Sequence, residues 1–316
     1  MAGSTFFRDE LRKSLDRTIT HRFRQLPFEN GTDIPTDTTL EPGVKTLSVD
    51  VLSGYGEATL RANGSNDANL VQINMTRDEY PVVMSTACYA IDFDESRAAE
   101  YTGKTNLIRD QKTLFTRRAI AERLNRFAAF GEPVLNVRGM VNNSFVTVDN
   151  SSFNPNTATF EQCISFFMDV VLRISNDSML ASEATHLRMS QRMYSVLMQK
   201  VSPESPEISV ITALRSRFAV ESDVSSLNID RRVELNGASM LRFGGAADAS
   251  RDRMVIGKID PLTISRSIEQ SIADIYPPEF FETRNGKMFM PMFACASATA
   301  IHEPASFRYI DTIAAI

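Results

Sequence analysis

Cysteine and histidine are both scarce in this chain of 316 residues. The three cysteines, Cys88, Cys163 and Cys295, are odd in number, widely spaced and set among apolar neighbours. This pattern argues against a disulfide framework or a zinc site, and it predicts buried free thiols in a reducing compartment. We therefore expect the chain to hold no metal and to need no cofactor.

The three histidines, His21, His186 and His302, carry no catalytic signature. None has a second ligand-type residue at metal spacing, and the segment that begins at His302 lacks the second histidine of a zincin helix. The sequence also has no G-x-S-x-G elbow and no G-x-G-x-x-G turn after a strand. Because a histidine-dependent hydrolase would need one of these three residues, we predict that the chain is not an enzyme.

One stretch comes close to a nucleotide-binding motif. Residues 98–105 end in Gly103, Lys104 and Thr105 as a phosphate loop does, but Ala98 replaces the first glycine and Glu100 lies inside the loop. A carboxylate beside a triphosphate is unfavourable unless a metal intervenes. We expect a turn between a strand and a long helix here, and a P-loop nucleotide-binding enzyme is the alternative from a different functional class.

Long apolar runs are missing as well. No run approaches the ~18 apolar residues that a membrane helix requires, and Arg8, Asp9 and Glu10 bring charge too early for a secretory signal. The net charge of −5 argues against a chain whose main role is to neutralise phosphates. We expect no membrane partner and a location in the cytoplasm where the chain is made.

The most informative stretch that is present spans residues 46–93. Two arms of alternating apolar and polar residues flank a tip rich in glycine and asparagine, which predicts a long antiparallel hairpin of half-buried strands. The apolar residues of the arms are Leu47, Val49 and Val51, then Val71, Ile73 and Met75. An isolated ribbon of this kind is marginal in water. We therefore predict that it gains burial on another copy of the chain, and that the protein serves in assembly.

Helical patterns lie on both sides of the hairpin. Apolar residues spaced four apart over residues 6–26 predict a helix that docks either on its own core or, as a terminal arm, on a neighbour or an assembly factor. Residues 27–45 are rich in proline and glycine and predict a linker or an extended arm. From about Asn106 an apolar stripe continues without interruption to Gly131, which predicts a helix of roughly 35 Å.

The remainder of the chain predicts mixed α and β structure. Helices are expected from residue 156 to about 174, near 191–199 and at 208–218, with a short strand at 187–189. Residues 221–253 predict alternating strand patches, and closing strands are expected at 254–259, 288–294 and 299–309.

This order of elements resembles the HK97-like major capsid proteins of tailed bacteriophages. The residues that carry the resemblance are Tyr55-Gly56-Glu57-Ala58, where a branch of the family has a Gly-x-Ala turn; residues 95–105 and 112–130, similar to its short helix and spine helix; Gly131 and residues 137–143, similar to its passage into the axial domain; and residues 290–293 and 303–309, similar to its closing strands. The match spans about residues 45 to 311.

The resemblance implies an α+β HK97-like fold in four parts. These are an N-terminal arm (1–45), an extended loop (46–78), a peripheral domain with the spine helix (79–140 and 250–316) and an axial α/β domain (141–249). It also implies pentamers and hexamers that close into an icosahedral shell around the double-stranded DNA of a tailed phage, as part of the virion. An encapsulin-type nanocompartment shell is the alternative within the same fold.

Some members of that family weld neighbouring subunits through a lysine on the extended loop and an asparagine on the peripheral domain. No lysine lies between Lys45 and Lys104, so we predict a shell held by non-covalent contacts. The expected contacts are Tyr55, Glu57, Leu60, Arg61, Asn63, Asn66, Leu70 and Val71 on the loop, and Phe7, Leu11 and Leu15 on the arm. The resemblance further implies a separate scaffold, a portal, a cement protein and non-specifically packaged DNA as partners.

Overall fold

The computed structural model describes residues 26–28, 31–55, 72–101, 105–177, 183–221, 227–243, 250–271, 274–275, 282–284 and 286–314. The helices of these residues are α1 Phe93–Tyr101, α2 Thr105–Phe130, α3 Phe160–Asp177, α4 Gln191–Gln199, α5 Val210–Glu221 and α6 Gly237–Arg242. Short 3-10 turns lie at Pro133–Leu135, Val233–Leu235 and Pro304–Ser306.

The strands of the described residues form four sheets. They are β1 Thr36–Asp37, β2 Thr46–Tyr55, β3 Gln72–Asp92, β4 Gly131–Glu132, β5 Val137–Arg138, β6 Thr147–Asn150, β7 His186–Ser190, β8 Asn228–Arg232, β9 Arg251–Gly257, β10 Ile264–Ser267, β11 Glu282–Arg284, β12 Lys287–Ser297, β13 Ala300–Ile301 and β14 Phe307–Ile313. The sheet orders are β11-β12-β3-β2, β6-β14-β9-β7-β8, β1-β10-β13 and β4-β5.

Strand β3 is 21 residues long and changes its partner halfway. Residues 72–81 pair with β2 as the predicted hairpin, and residues 82–92 pair with β12. The change comes at Pro81, which has no N–H to donate to a ladder. The sequence predicted two separate runs here, whereas the structure has one continuous strand that joins the ribbon to the domain.

Helix α2 covers one face of the β3–β12 ladder. Ile120 and Leu124 of the helix pack with Tyr89, Ile91 and Met292 in one buried cluster. The predicted helix from about residue 106 to Gly131 is confirmed. It ends where it does because Gly131 adopts a left-handed conformation with φ 71°, which glycine enters without the penalty of a Cβ atom.

A second core lies between the five-stranded sheet and helices α3, α4 and α5. Helix α3 begins at Phe160, whereas the sequence predicted a start at residue 156. The later start follows because Thr159 and Gln162 form a capping box. The Gln162 N–H donates to Thr159 Oγ1 at 3.3 Å, and the Thr159 N–H donates to Gln162 Oε1 at 2.9 Å. The predicted helix at 191–199 is confirmed, and the Ser190 hydroxyl caps it by accepting the Met193 N–H at 3.1 Å.

Two of the sequence-based expectations are wrong in detail. The predicted strand patches of 221–253 include strand β8 and the start of β9, but residues 233–242 form a 3-10 turn and the short helix α6. The predicted closing strand at 299–309 is broken into β13 and β14, since Pro304 begins a 3-10 turn between them.

The proline- and glycine-rich segment after residue 25 is anchored in the core more firmly than its composition indicates. Leu26, Phe28, Ile34 and Leu40 are buried, and β1 adds to the sheet edge of β10 in parallel. The residues that cover these side chains come from distant parts of the chain. The segment therefore becomes buried only when the whole molecule folds. Among the described residues, no helix is long and apolar enough to cross a membrane.

We expect Gly131→Ala to destabilise the subunit by about 2 kcal/mol or more, because of its backbone strain and a steric clash. A Cβ atom at this position would run into the carbonyl oxygen of Val137. Urea unfolding of the unassembled subunit measures the effect. Gly43→Ala is the matched control: its φ is also positive, at 86°, but nothing lies within 4 Å of the added atom. If both variants lost the same free energy of unfolding, the predicted clash at Gly131 would be contradicted.

Candidate intersubunit surfaces

The hairpin register decides which side chains share a face. Strands β2 and β3 pair antiparallel from Thr46 opposite Pro81 to Tyr55 opposite Gln72, which confirms the predicted strand pairing. Directly opposed residues lie on the same face of a sheet. Leu52 is opposite Met75 and Gly54 is opposite Ile73, whereas Val49 is opposite Asp78. The apolar sets of the two arms therefore lie on opposite faces of the ribbon.

One of these faces is uncovered in the single chain. Leu52, Ile73 and Met75 are 69%, 71% and 60% exposed, and we call these three residues the ribbon patch. Leu47, Val49 and Val51 on the other face are half-buried. Three adjacent large apolar side chains at this exposure are typical of a surface that another molecule covers. On this face, the described part of the ribbon is thus left open by its own chain.

An ion pair lies beside the ribbon patch on the same face. Arg77 Nε and Nη2 donate to the two carboxylate oxygens of Asp50 at 2.7 and 3.2 Å. These hydrogen bonds from Arg77 lower the pKa of Asp50. Because both side chains are exposed to solvent, the pair fixes cross-strand register more than it adds stability. It also sets a polar border to the apolar patch.

Among the contact residues predicted from the sequence, Tyr55 lies within the described residues. Tyr55 is the last residue of β2. The other predicted loop contacts, which are Glu57, Leu60, Arg61, Asn63, Asn66, Leu70 and Val71, lie outside the described residues, as do Phe7, Leu11 and Leu15 of the arm. Leu52 was not among the predicted contacts, because it follows the apolar set of its arm out of phase and joins Met75 on one face only through the strand register.

A buried charge cluster joins the N-terminal segment to the five-stranded sheet. The Asp33 carboxylate is fully buried and accepts from Arg188 Nε at 2.7 Å, from Arg232 Nη2 at 2.7 Å and from Arg232 Nε. Arg188 also donates to the Asn228 carbonyl at 2.9 Å, and Arg232 donates to Asp230 at 2.6 Å. The Asp33 carboxylate therefore bridges two guanidinium groups that come from β7 and β8, and Asp230 supplies a second negative charge.

The electrostatics of this cluster depend on Asp33. Burial lowers the pKa of Arg188, and the Asp33 charge opposes that effect. For Arg232 burial acts in the same direction, but hydrogen bonds and charges from Asp33 and Asp230 outweigh it, so its pKa is raised. Burial, together with the charge of Arg188, lowers the pKa of the neighbouring His186 to about 4. His186 therefore adds no further positive charge to the two guanidinium groups at neutral pH.

The nucleotide-binding alternative gains nothing from the structure. Residues 98–101 form the last turn of helix α1, whereas a phosphate loop needs free backbone N–H groups that curl around the phosphates. Residues 102–104, which include Lys104, lie outside the described residues. Within the described ranges, no group of three or more His, Cys, Asp or Glu side chains could hold a metal ion.

The prediction of buried thiols is correct for one cysteine and wrong for another. Cys163 is buried in the core around α3, Cys295 is half-buried, and Cys88 is exposed. Cys88 is exposed because it lies on the face of β3 that points away from helix α2, opposite in parity to the buried Tyr89 and Ile91.

Comparison with known protein families settles what kind of protein carries this ribbon. The model of the major capsid protein family matches residues 56–313. The chain belongs to the major capsid protein family. It is therefore a structural protein of a phage shell and is built for assembly with copies of itself, and its place is in the virion. The encapsulin alternative is not favoured over this family.

Solved structures agree at the level of the fold. A chain of the capsid of Myoviridae phage XM1 is 13% identical and superposes with a TM-score of 0.75, covering 96% of this chain and 98% of that one. A chain of Gordonia phage Cozz is 10% identical with a TM-score of 0.63, covering 99% and 94%. A virus-like particle from Pyrococcus furiosus is 12% identical with a TM-score of 0.50, covering 90% and 95%. The comparison with curated protein sequences gave no match. The HK97-like α+β fold expected from the sequence is confirmed.

We expect Asp33→Asn to destabilise the subunit by about 3–5 kcal/mol, because it removes the carboxylate that pairs with both buried guanidinium groups and leaves Asp230, which bonds to Arg232, as the remaining carboxylate of the cluster. Urea unfolding of the unassembled subunit measures the loss. Asp37→Asn is the control, since that exposed carboxylate accepts hydrogen bonds from the backbone and hydroxyl of Thr39, two residues along the chain, and it should change stability by less than about 0.5 kcal/mol. If the two variants were equally stable, the buried cluster would not anchor the segment.

Proposed function

We propose that many copies of this chain enclose the double-stranded DNA genome of a tailed phage, held together by non-covalent contacts between subunits. The observation that carries the proposal is the ribbon patch, an apolar surface that its own molecule leaves open. The match to a family of shell proteins gives that surface its meaning as a contact between subunits. The apolar residues supply buried area, and the polar residues around them fix register.

The division of the chain follows the same proposal. Residues 1–45 serve as an arm on neighbouring subunits, with Phe7, Leu11 and Leu15 as contacts. Residues 46–78 form the extended loop, residues 79–140 and 250–316 form the peripheral domain around α2, and residues 141–249 form the axial domain at the capsomer centre. The burial of Leu26, Phe28, Ile34 and Leu40 supports an arm whose base is fixed and whose contacts come from the residues before it.

The non-covalent part of the proposal rests on the sequence of the loop. A lysine is needed for a lysine–asparagine weld, and none lies between Lys45 and Lys104. The basic residues of the loop are Arg61 and Arg77, and Arg77 is engaged by Asp50. A guanidinium group stays protonated in proteins and is a poor nucleophile.

The proposed partners are those of a shell that fills with DNA. They are copies of the chain in pentamers and hexamers, a separate scaffold and a portal, a cement protein on the shell, and packaged DNA bound without sequence preference. Assembly takes place in the host cytoplasm.

Electron microscopy tests the proposal: recombinant or native material should form closed shells, and native shells should carry DNA with portal or tail proteins. Co-purified cargo enzyme would favour a nanocompartment, and a stable monomer under all conditions would contradict a shell.

We expect deletion of residues 54–68 to leave a folded subunit that no longer assembles, because this polar segment, rich in glycine and asparagine, has few apolar side chains to bury in a core. Circular dichroism and thermal unfolding report the fold, and negative-stain microscopy reports the shells. Leu262→Ala removes another exposed apolar side chain away from the ribbon and should assemble normally. A deletion variant that fails to fold would show that the loop is an internal element.

Purified shells should dissolve in hot sodium dodecyl sulfate to a single band at the subunit mass of 35.3 kDa. The physical reason is that detergent disrupts apolar and ionic contacts but not an amide bond between side chains. Denaturing gel electrophoresis with a reducing agent makes the measurement. A ladder of dimers and higher multiples would contradict non-covalent assembly.

A further inference from the structure

A cleft of about 540 Å³ lies between the C-terminal half of helix α2 and the short helix α6. We call it the arginine cleft. The residues of its wall that matter here are Arg126 and Phe130 of α2, Glu234 of the 3-10 turn, and Ala238, Arg242 and Phe243 in or next to α6. The wall therefore brings charged side chains and aromatic rings together in one concave surface.

The ring of Phe243 holds two guanidinium groups in the arginine cleft. Arg126 Cζ lies 4.6 Å from the centroid of this ring, and Arg242 Cζ lies 5.4 Å from it. Phe130 packs on the same ring, with 5.2 Å between the two ring centroids. Cation–π attraction therefore keeps both arginines beside one aromatic side chain. Because the groups are already positioned, a ligand that binds them loses less entropy in ordering the side chains.

The arginines of the cleft are more accessible than the carboxylate beneath them. Arg242 is exposed and Arg126 is half-buried, whereas Glu234 is buried. Glu122, the other carboxylate of the wall, is paired with Arg118, whose Nε lies 3.0 Å from Glu122 Oε1. The charge that an entering ligand meets is therefore mainly that of the two guanidinium groups.

Two guanidinium groups beside one ring favour an anion as the ligand. Like charges at short range repel each other, and an anion between them replaces this repulsion with attraction. Each guanidinium also presents paired N–H donors in a planar fork, which matches the oxygen atoms of a phosphate or carboxylate group.

Positive charge continues from the cleft along helix α2, which favours an extended polyanion. Arg118, Glu122 and Arg126 are four residues apart and therefore lie in one row on the helix. Arg118 and Arg126 are roughly 12 Å apart along the helix axis. Duplex DNA brings one negative charge per ~1.7 Å of its axis, which is about seven charges over that length. A duplex can therefore contact the cleft and the row at the same time.

We propose that the arginine cleft binds a phosphate group between Arg126 and Arg242, and that this phosphate belongs to the backbone of duplex DNA. The inference rests on the proposed function, because the shell has to enclose DNA for this ligand to be present. It assigns a place on the subunit to DNA that is bound without sequence preference. Phosphate contacts suit that role, since they hold a duplex without reading its bases.

Fluorescence anisotropy of a labelled duplex of about 20 base pairs, titrated with the unassembled subunit, tests the site at low salt. Arg126→Gln and Arg242→Gln should each weaken binding roughly tenfold. Each should also reduce the slope of log K against log salt concentration by about 0.9. Arg77→Gln is the matched control, because that exposed arginine lies on the ribbon and pairs with Asp50; it should leave affinity and slope unchanged. Wild-type affinity and slope in both cleft variants would overturn the proposal.

A second variant tests the cleft without removing an arginine. Ala238 is exposed and lines the cleft, so Ala238→Glu places a negative charge beside the proposed phosphate and should weaken binding roughly tenfold or more. Ala305→Glu is the control, since it adds the same charge at an exposed alanine outside the cleft wall. Circular dichroism confirms that each variant is folded. Equal affinity of the two glutamate variants for the duplex would also overturn the proposal.

Competition experiments identify the source of the anion. Inorganic phosphate should displace the labelled duplex no better than chloride at equal ionic strength, since the proposed ligand is the DNA backbone. Stronger displacement by phosphate would make a free phosphate ion the ligand and overturn the DNA assignment. An oligoglutamate peptide that bound more tightly than the duplex, and lost affinity in the same variants, would make the cleft a docking site for an acidic segment.

The failure of this inference differs from the failure of the proposed function. Native shells that contain DNA, together with cleft variants that bind the duplex as the wild type does, reject this inference alone. Native shells that never contain DNA reject the proposed function.

Discussion

The continuity of strand β3 is the constraint on which the rest of the structure depends. Over 21 residues without a break in pairing, the strand holds the hairpin ribbon in fixed relation to the sheet under helix α2. Because side chains alternate strictly along a strand, fixing Tyr89 and Ile91 under the helix also fixes which way Ile73 and Met75 point. The part of β3 that is buried under helix α2 thus sets the orientation of the ribbon at the other end of the same strand.

Buried charge serves a different purpose from the apolar sheet. Asp33 lies in a segment with little regular structure, yet it is the counter-charge for Arg188 and Arg232 on two adjacent strands. An apolar side chain tolerates several positions on a core, whereas a carboxylate between two guanidinium groups has one arrangement that satisfies all three. The cluster therefore fixes where the arm enters the molecule. A fixed entry point matters for a segment whose proposed contacts are on other subunits.

Features with a local pattern could be predicted from the sequence, and features that depend on distant pairing could not. Helix α2 was predictable because its apolar stripe is uninterrupted and Gly131 gives a clear stop. Asp33 was not, since its partners are 155 and 199 residues away and nothing in its own segment indicates burial. The ribbon lies between these cases. Alternation in each arm predicts strands, but the residues that share a face follow only from the register, which places Leu52 opposite Met75.

The size of the ribbon patch bears on how the shell holds together. Full burial of one large apolar side chain contributes about 1.5–3 kcal/mol, and Leu52, Ile73 and Met75 are already partly covered, so the three supply only several kcal/mol. Association of two molecules costs an estimated ~4–15 kcal/mol in lost freedom. A single contact through the ribbon patch is thus marginal, and two isolated copies gain little from it. In the closed shell proposed above, each copy contacts several others, and the last contact to form costs no further loss of free molecules. On that proposal, closure stabilises the assembly more than the strength of any one contact does.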